Sequence, residues 1–159
     1  MDRWAKYAIS EGEDSRKYLQ SDQSRVKKYV SSCKLLADKL EINENSKLLD
    51  VGCGAGEFML AVDGACKKYL GIDVSEDKIE IAKERVAADN SHFDVCDITE
   101  GRMGELFDIV VSLTCLDHIF DKKSALKNIN DSLGIAGTCY IEVRNRDYLP
   151  KYMLEKLSL

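Results

Sequence analysis

Short apolar segments alternate with helical patterns along most of this chain. In chain order, the apolar segments are Lys47–Val51, Tyr69–Ile72, His92–Cys96, Phe107–Leu113 and Thr138–Val143. Helical patterns fill most of the intervals, and only the interval between the third and fourth segments is too short for a full helix. Parallel neighbouring strands need a crossover, which is usually a helix. The alternation therefore predicts an α/β fold with a parallel sheet and helices on both of its faces.

Three helical patterns carry recognisable boundaries. Between Asp22 and Leu40, apolar residues recur every three or four positions, which is the spacing of one helix face. Ser75 and Asp121 precede a second and a third helical pattern, and their short polar side chains predict N-caps. Gly134 follows the third pattern and is expected to end that helix.

Length and composition restrict the classes of function. A chain of 159 residues predicts a single globular domain. A net charge of −5 disfavours a nucleic-acid partner, because nucleic-acid binders usually carry a basic face. No uncharged apolar run approaches the roughly 18 residues of a membrane span, so we expect a soluble, cytoplasmic protein without a membrane partner. The six cysteines include no C-x-x-C pair, so neither a metal site nor a disulfide framework is predicted.

The most informative motif is the run LLDVGCGAGEF at residues 48–58, where an apolar strand leads into a glycine-rich turn. In a sheet of this type, ligands bind beyond the carboxyl ends of the strands. The dinucleotide fingerprint G-x-G-x-x-G would place a glycine at position 57, where this chain has Glu57. Asp50, just before the turn, is also poorly suited to a pyrophosphate. The motif therefore favours a ligand with positive charge over an anion.

Together with GIDVSEDKIEIAKER, FDVCDITE and FDIVVSLTCLDHI, in that order and spacing, this run resembles the class I S-adenosylmethionine-dependent methyltransferases. The resemblance implies a doubly wound, Rossmann-like, mostly parallel sheet of about five strands in the order 3-2-1-4-5. It also implies S-adenosylmethionine as cofactor, S-adenosylhomocysteine as product and a small-molecule acceptor. On this basis, residues 1–46 form an N-terminal helical segment or lid, residues 47–145 the cofactor-binding core, and residues 146–159 a tail.

The resemblance also implies a set of cofactor-binding residues: Asp50, Gly52, Cys53, Gly54, Gly56, Asp73, Val74, Lys78, Cys96, Asp97, Ile98, Ser112 and Leu113. The glycine turn, Asp50 and the end of the fourth strand would face the methionine portion, with Gly56 allowing close helix packing. Asp73 would accept hydrogen bonds from both ribose hydroxyls, since one carboxylate offers two oxygens. Asp97 would accept from the adenine amino group, with Val74 and Lys78 flanking the ring.

Several of these residues have a second interpretation. Asp73 could instead be a helix N-cap or a solvated strand end, and Asp97 could cap the turn that follows it. Lys78 could lie on a solvated helix face. These alternatives need no ligand.

Residues outside the glycine motif suggest how an acceptor would be handled. His118 follows the fourth strand and is a candidate general base, or else a residue that orients a loop. The aromatic residues Trp4, Tyr7 and Tyr18 are candidates for a lid, or else pack on the helix that follows them.

The chain stops soon after its fifth strand, whereas the family's sheet normally continues. An exposed fifth strand would leave unpaired backbone groups, which the tail or a second copy in a homodimer could cover, or the sequence could be truncated. The leading interpretation is methyl transfer to a small molecule. A non-catalytic module that binds S-adenosylmethionine or S-adenosylhomocysteine is the alternative, and a nicotinamide-dependent oxidoreductase ranks third.

Overall fold

The computed structural model describes residues 23–143. The elements in chain order are α1 (Gln23–Lys39), β1 (Lys47–Val51), α2 (Glu57–Val62), β2 (Lys68–Asp73), α3 (Glu76–Arg85), β3 (Ser91–Val95), β4 (Phe107–Leu113), a 3₁₀ helix (Leu116–His118), α4 (Lys122–Asp131) and β5 (Leu133–Glu142). The proposed lid residues Trp4, Tyr7 and Tyr18 and the tail 146–159 lie outside the described residues.

The five strands form one sheet in the order β3-β2-β1-β4-β5, and every neighbouring pair is parallel. This confirms the predicted strand order and the doubly wound α/β fold. From β1 the chain adds β2 and β3 on one side of the sheet and then β4 and β5 on the other side. The direction of strand addition therefore reverses beside β1. Crevices for ligands open at such a point in open α/β sheets.

Helices cover both faces of the sheet, as predicted. Leu48 and Leu49 are both fully buried but face opposite layers, because successive side chains of a strand point to opposite faces. Leu48 packs in a layer with buried residues of α1, α2 and α3. Leu49 packs in the other layer with Ala125 and Ile129 of α4. Between β3 and β4 only turns are present, in agreement with the short interval in the sequence.

The prediction that Gly134 ends the third helix is wrong. Helix α4 ends at Asp131, and Gly134 lies within β5. The reason is that Ser132 closes the helix: its hydroxyl donates to the carbonyl of Asn128 at 2.7 Å, while its own carbonyl accepts from the Phe107 amide at 2.9 Å. The chain is thereby joined to β4 before the glycine is reached.

The two predicted N-caps differ in the structure. The Asp121 carboxylate accepts from the backbone amide of Ser124 at 3.0 Å, which is the expected cap. Ser75 holds the cap position of α3, but its side chain makes no cap hydrogen bond. Along residues 23–143, no helix is both long and apolar enough to cross a bilayer.

Candidate cofactor site

A cavity of about 170 Å³ opens at the carboxyl ends of β1, β2 and β3. Its lining residues come from these strand ends and from the segment after β4: Val51, Gly52, Ile72, Asp73, Val74, Cys96, Asp97, Ile98, Thr99, Cys115, Ile119, Phe120 and Asp121. Six of them, Gly52, Asp73, Val74, Cys96, Asp97 and Ile98, belong to the set implied by the family resemblance. The walls thus combine apolar side chains with three carboxylates.

The glycine turn needs its glycines for two different reasons. Gly52 has a φ of +77°, and a Cβ placed there would lie 2.3 Å from the Cys115 Sγ. Gly56 has a φ of +81°, and a Cβ there would lie 3.3 Å from the Cβ of Ala82 in α3. The first glycine lets the turn pass the segment after β4, and the second lets α3 pack closely on the turn.

Backbone amides of the turn are already used within the protein. The amides of Gly52 and Cys53 donate to the carbonyl of Ile72, at 2.8 and 3.0 Å. The Gly54 amide donates to the Asp73 carboxylate at 3.1 Å. A phosphate would need such amides pointing at it. The turn is therefore a poor anion site, in agreement with the sequence-based interpretation.

Asp73 ends β2 as a nearly buried carboxylate on the cavity wall, with 9% of its surface exposed. One oxygen accepts from the Gly54 amide and the other from the Ser75 amide, at 3.1 and 3.0 Å. It is therefore not a solvated strand end, and Ser75, not Asp73, holds the N-cap position of α3. Each carboxylate oxygen has a further acceptor position, so Asp73 can still bind a ligand hydroxyl.

Asp97 lies in the turn after β3 and also lines the cavity. Its Oδ1 accepts from the Thr99 amide at 2.8 Å, which is the turn cap that we considered as an alternative. Its other oxygen makes no hydrogen bond to another residue of the described region. The neighbouring Ile98 is buried and Cys96 is half-buried. Asp97 thus caps its turn and keeps one oxygen available to a ligand.

Comparison with known proteins adds an independent observation. A family model described as a methyltransferase domain matches residues 42–158, most of the chain. The chain belongs to the class I S-adenosylmethionine-dependent methyltransferase family.

Individual relatives of this methyltransferase domain differ in length and in name. The ubiquinone biosynthesis O-methyltransferase of Haemophilus ducreyi is 32% identical over 117 residues, which cover 68% of this chain and 49% of that protein. Phosphoethanolamine N-methyltransferase 1 of Triticum aestivum is 35% identical over 100 residues, or 60% of this chain and 20% of that protein. This methyltransferase domain therefore spans less than half of the length of either relative.

Among solved structures, the DhpI–SAM–HEP complex aligns with a TM-score of 0.68 at 15% identity. The alignment covers 97% of this chain and 69% of that chain. At this identity the likeness supports the fold of the methyltransferase domain and nothing finer.

Donor and acceptor groups at the cavity fit S-adenosylmethionine. Turn amides that are already paired, together with the carboxylates of Asp73, Asp97 and Asp121, suit a cationic ligand that presents hydroxyl and amino donors. The apolar walls at Ile72 and Ile98 suit a flat ring.

Asp50 lies behind the methyltransferase domain's glycine turn and not on the cavity wall. Asp50 is 2% exposed, and its carboxyl group accepts a hydrogen bond from the Tyr69 hydroxyl at 2.5 Å. Burial raises the pKa of Asp50 from its ordinary value to about 7, and the Tyr69 hydrogen bond opposes part of that rise. The thiol of Cys53 is buried beside it, and burial also raises its pKa.

Four other residues proposed for this site lie away from the cavity lining. Ser112 is fully buried at the end of β4, and Leu113 packs in the layer with α1, α2 and α3. Lys78 is half-buried on α3, and His118 is half-buried at the end of the 3₁₀ helix. In the chain, Ser112 and Leu113 form the end of β4, His118 follows that strand, and Lys78 follows β2.

Sequence reasoning missed the wall formed after β4, which consists of Cys115, Ile119, Phe120 and Asp121. It also missed Arg85, whose guanidinium donates to the Ala55 carbonyl and to the Glu57 carboxylate, each at 2.6 Å. That contact ties the end of α3 to the glycine turn. The signal for the wall was available, since Ile119 and Phe120 are apolar residues directly after a strand end.

Proposed function

We propose that this domain transfers a methyl group from S-adenosylmethionine to a small-molecule acceptor. The observation that carries the proposal is the pairing of Asp73 with the glycine turn: the β2 carboxylate lines the cavity and holds the Gly54 amide at 3.1 Å. A carboxylate in that place suits neighbouring hydroxyl donors such as those of a ribose. Membership of the methyltransferase family supports the same assignment.

In this proposal the adenosine end of the cofactor occupies the cavity. Asp73 accepts from the ribose hydroxyls, and the available oxygen of Asp97 accepts from the adenine amino group. Val74 and Ile98 contact the ring from the ends of β2 and β3. The methionine end lies against the backbone of Gly52, Cys53 and Gly54, and Asp50, Ser112 and Leu113 support that side of the site from the protein interior.

When bound, S-adenosylmethionine supplies a methyl group on a sulfonium that is already activated by its charge. The domain's own residues bind and align the reactants, and alignment contributes about 7–11 kcal/mol to lowering a barrier of this kind. Relatives of this domain are named as O-, N- and C-methyltransferases, so an oxygen, a nitrogen or a carbon acceptor fits the family.

His118 is proposed as the group that accepts a proton from a hydroxyl acceptor. It lies on the 3₁₀ helix after β4, at the carboxyl edge where the cavity opens. We expect His118→Gln to lower the transfer rate to a hydroxyl acceptor by about 10²–10⁴-fold. The dissociation constant of S-adenosylhomocysteine should stay unchanged, and a parallel loss of its binding would assign His118 to loop positioning.

β5 forms one edge of the described sheet. We propose that a second copy pairs with this edge, and sedimentation of the full chain tests it. A monomer at all concentrations would contradict this pairing.

Methyl release from labelled S-adenosylmethionine tests the proposed reaction. The full chain is incubated with a panel of acceptors that carry hydroxyl or amino groups, and labelled product is counted. Product from at least one acceptor is expected. Binding of S-adenosylhomocysteine with no transfer to any acceptor would favour the non-catalytic module, and binding of NAD alone would contradict both interpretations.

A further inference from the structure

Phe120 is an apolar side chain in an unusual place. It is 87% exposed and is one of the residues that line the cavity. The other three phenylalanines of the chain, Phe58, Phe93 and Phe107, are each at most 3% exposed. Among residues 23–143, the remaining large exposed apolar side chains lie away from the cavity lining. Covering an exposed aromatic ring with a ligand removes apolar surface from water, which favours binding.

The backbone on both sides of Phe120 is anchored. The Lys122 amide donates to the Phe120 carbonyl at 3.1 Å, and the Lys122 ammonium donates to the Ile119 carbonyl at 2.7 Å. On the other side, Asp121 is held by its two hydrogen bonds to Ser124. Phe120 therefore lies in a hydrogen-bonded connection between the 3₁₀ helix and α4.

The cavity itself matches one part of the proposed cofactor. At about 170 Å³ it is smaller than the 300–1,000 Å³ that is typical for a complete ligand. Residues proposed for the adenosine end, such as Asp73 and Asp97, line it, whereas Asp50 and Ser112 of the methionine end do not. The wall that carries Phe120 completes the lining of the same cavity.

We propose that Phe120 stacks on the adenine ring of the bound cofactor and is a specificity-determining residue for adenosyl ligands. This inference rests on the proposed function. The flat aromatic face supplies contact on one side of the ring, and Ile98 supplies apolar contact from the turn after β3. Asp97 accepts a hydrogen bond from the amino group at the edge of the ring. Stacking and hydrogen bonding thus act on the same ring.

Calorimetric titration of the full chain with S-adenosylhomocysteine and with adenosine tests this proposal. Base stacking on an aromatic side chain predicts that Phe120→Ala weakens both ligands by about tenfold to a hundredfold. Phe120→Tyr should bind both ligands about as tightly as the wild type, because the aromatic ring is kept. Ile135→Ala, which truncates a fully exposed residue of β5, is the matched control and should bind as the wild type does.

A spectroscopic measurement separates stacking from a general effect on the fold. Labelling with 4-fluorophenylalanine gives a fluorine signal for each of the four phenylalanines, and Phe120→Leu identifies the signal of residue 120. Saturation with S-adenosylhomocysteine should shift that signal. Wild-type binding of S-adenosylhomocysteine with no shift, or an unchanged affinity in Phe120→Ala, would overturn the role of Phe120 and leave the proposed function standing. Absence of any wild-type binding would instead contradict the proposed function.

Discussion

Tyr69 donates a hydrogen bond to Asp50 at 2.5 Å in the interior of the domain, across the pair of strands β1 and β2. Both side chains are buried, and Asp50 lies directly before the glycine turn. The pair thus joins the hydrophobic layer under α1, α2 and α3 to the loop that borders the cofactor cavity. Its protonation state affects the stability of that junction.

Ionisation of Asp50 should make stability depend on pH. Its pKa is about 7 in the folded protein, against 3.8 for an unperturbed carboxyl group. The folded state therefore holds a proton that the unfolded state has lost between about pH 4 and pH 7, and the free energy of unfolding falls as pH rises through this window. The expected loss is on the order of a few kcal/mol.

The control for this pH dependence is Asp50→Asn, which keeps an acceptor for Tyr69 and removes the ionisation. Urea unfolding at several pH values should show a weaker decline for the variant than for the wild type. Identical pH profiles of wild type and variant would contradict this prediction, because they would mean that ionising Asp50 in the folded protein does not lower its stability.

Gly52→Ala should destabilise the domain. A Cβ at this position would lie 2.3 Å from the Cys115 Sγ and 2.4 Å from its Cβ, at a φ that side chains rarely adopt. Backbone strain and overpacking together predict a loss of about 2–5 kcal/mol. Adding Cys115→Ala should give little relief because the Cβ remains, whereas Cys115→Gly should give more. Gly104→Ala, with open space around it, is the control in thermal unfolding. Equal stability of the two glycine variants would contradict the close contact.

Arg85→Gln should loosen the glycine turn. The Arg85 and Glu57 side chains are only 22% and 18% exposed, so losing one partner leaves a poorly solvated charge. We expect a cost of about 1–3 kcal/mol in urea unfolding. The double variant with Glu57→Gln should lose less than the sum of the two single variants. Strict additivity would show that the ion pair contributes nothing.

Sequence reasoning located the strands and the turn because their signals are local. The apolar run that ends at Val51 and the glycines that follow it specify a strand and a tight turn without knowledge of the rest of the chain. By contrast, the contact of Gly52 with Cys115 and that of Arg85 with Ala55 join residues far apart in sequence. Such contacts depend on packing, which no periodicity encodes.

The error at Gly134 has a related cause. A glycine after a helical pattern is a good local stop signal. Here a hydrogen bond between the Phe107 amide and the Ser132 carbonyl draws the chain into the sheet earlier, so the tertiary pairing overrides the local preference.

The most direct test of the account is calorimetric titration of the full chain and of Asp73→Ala with S-adenosylhomocysteine. We predict one saturable site in the wild type and a loss of about 2–3 kcal/mol of binding free energy in the variant, since charge-assisted hydrogen bonds are removed. Asp94→Ala, which truncates an exposed carboxylate of β3, should bind as the wild type does. Equal affinity of the wild type and Asp73→Ala, or no heat of binding in either, would contradict the central claim.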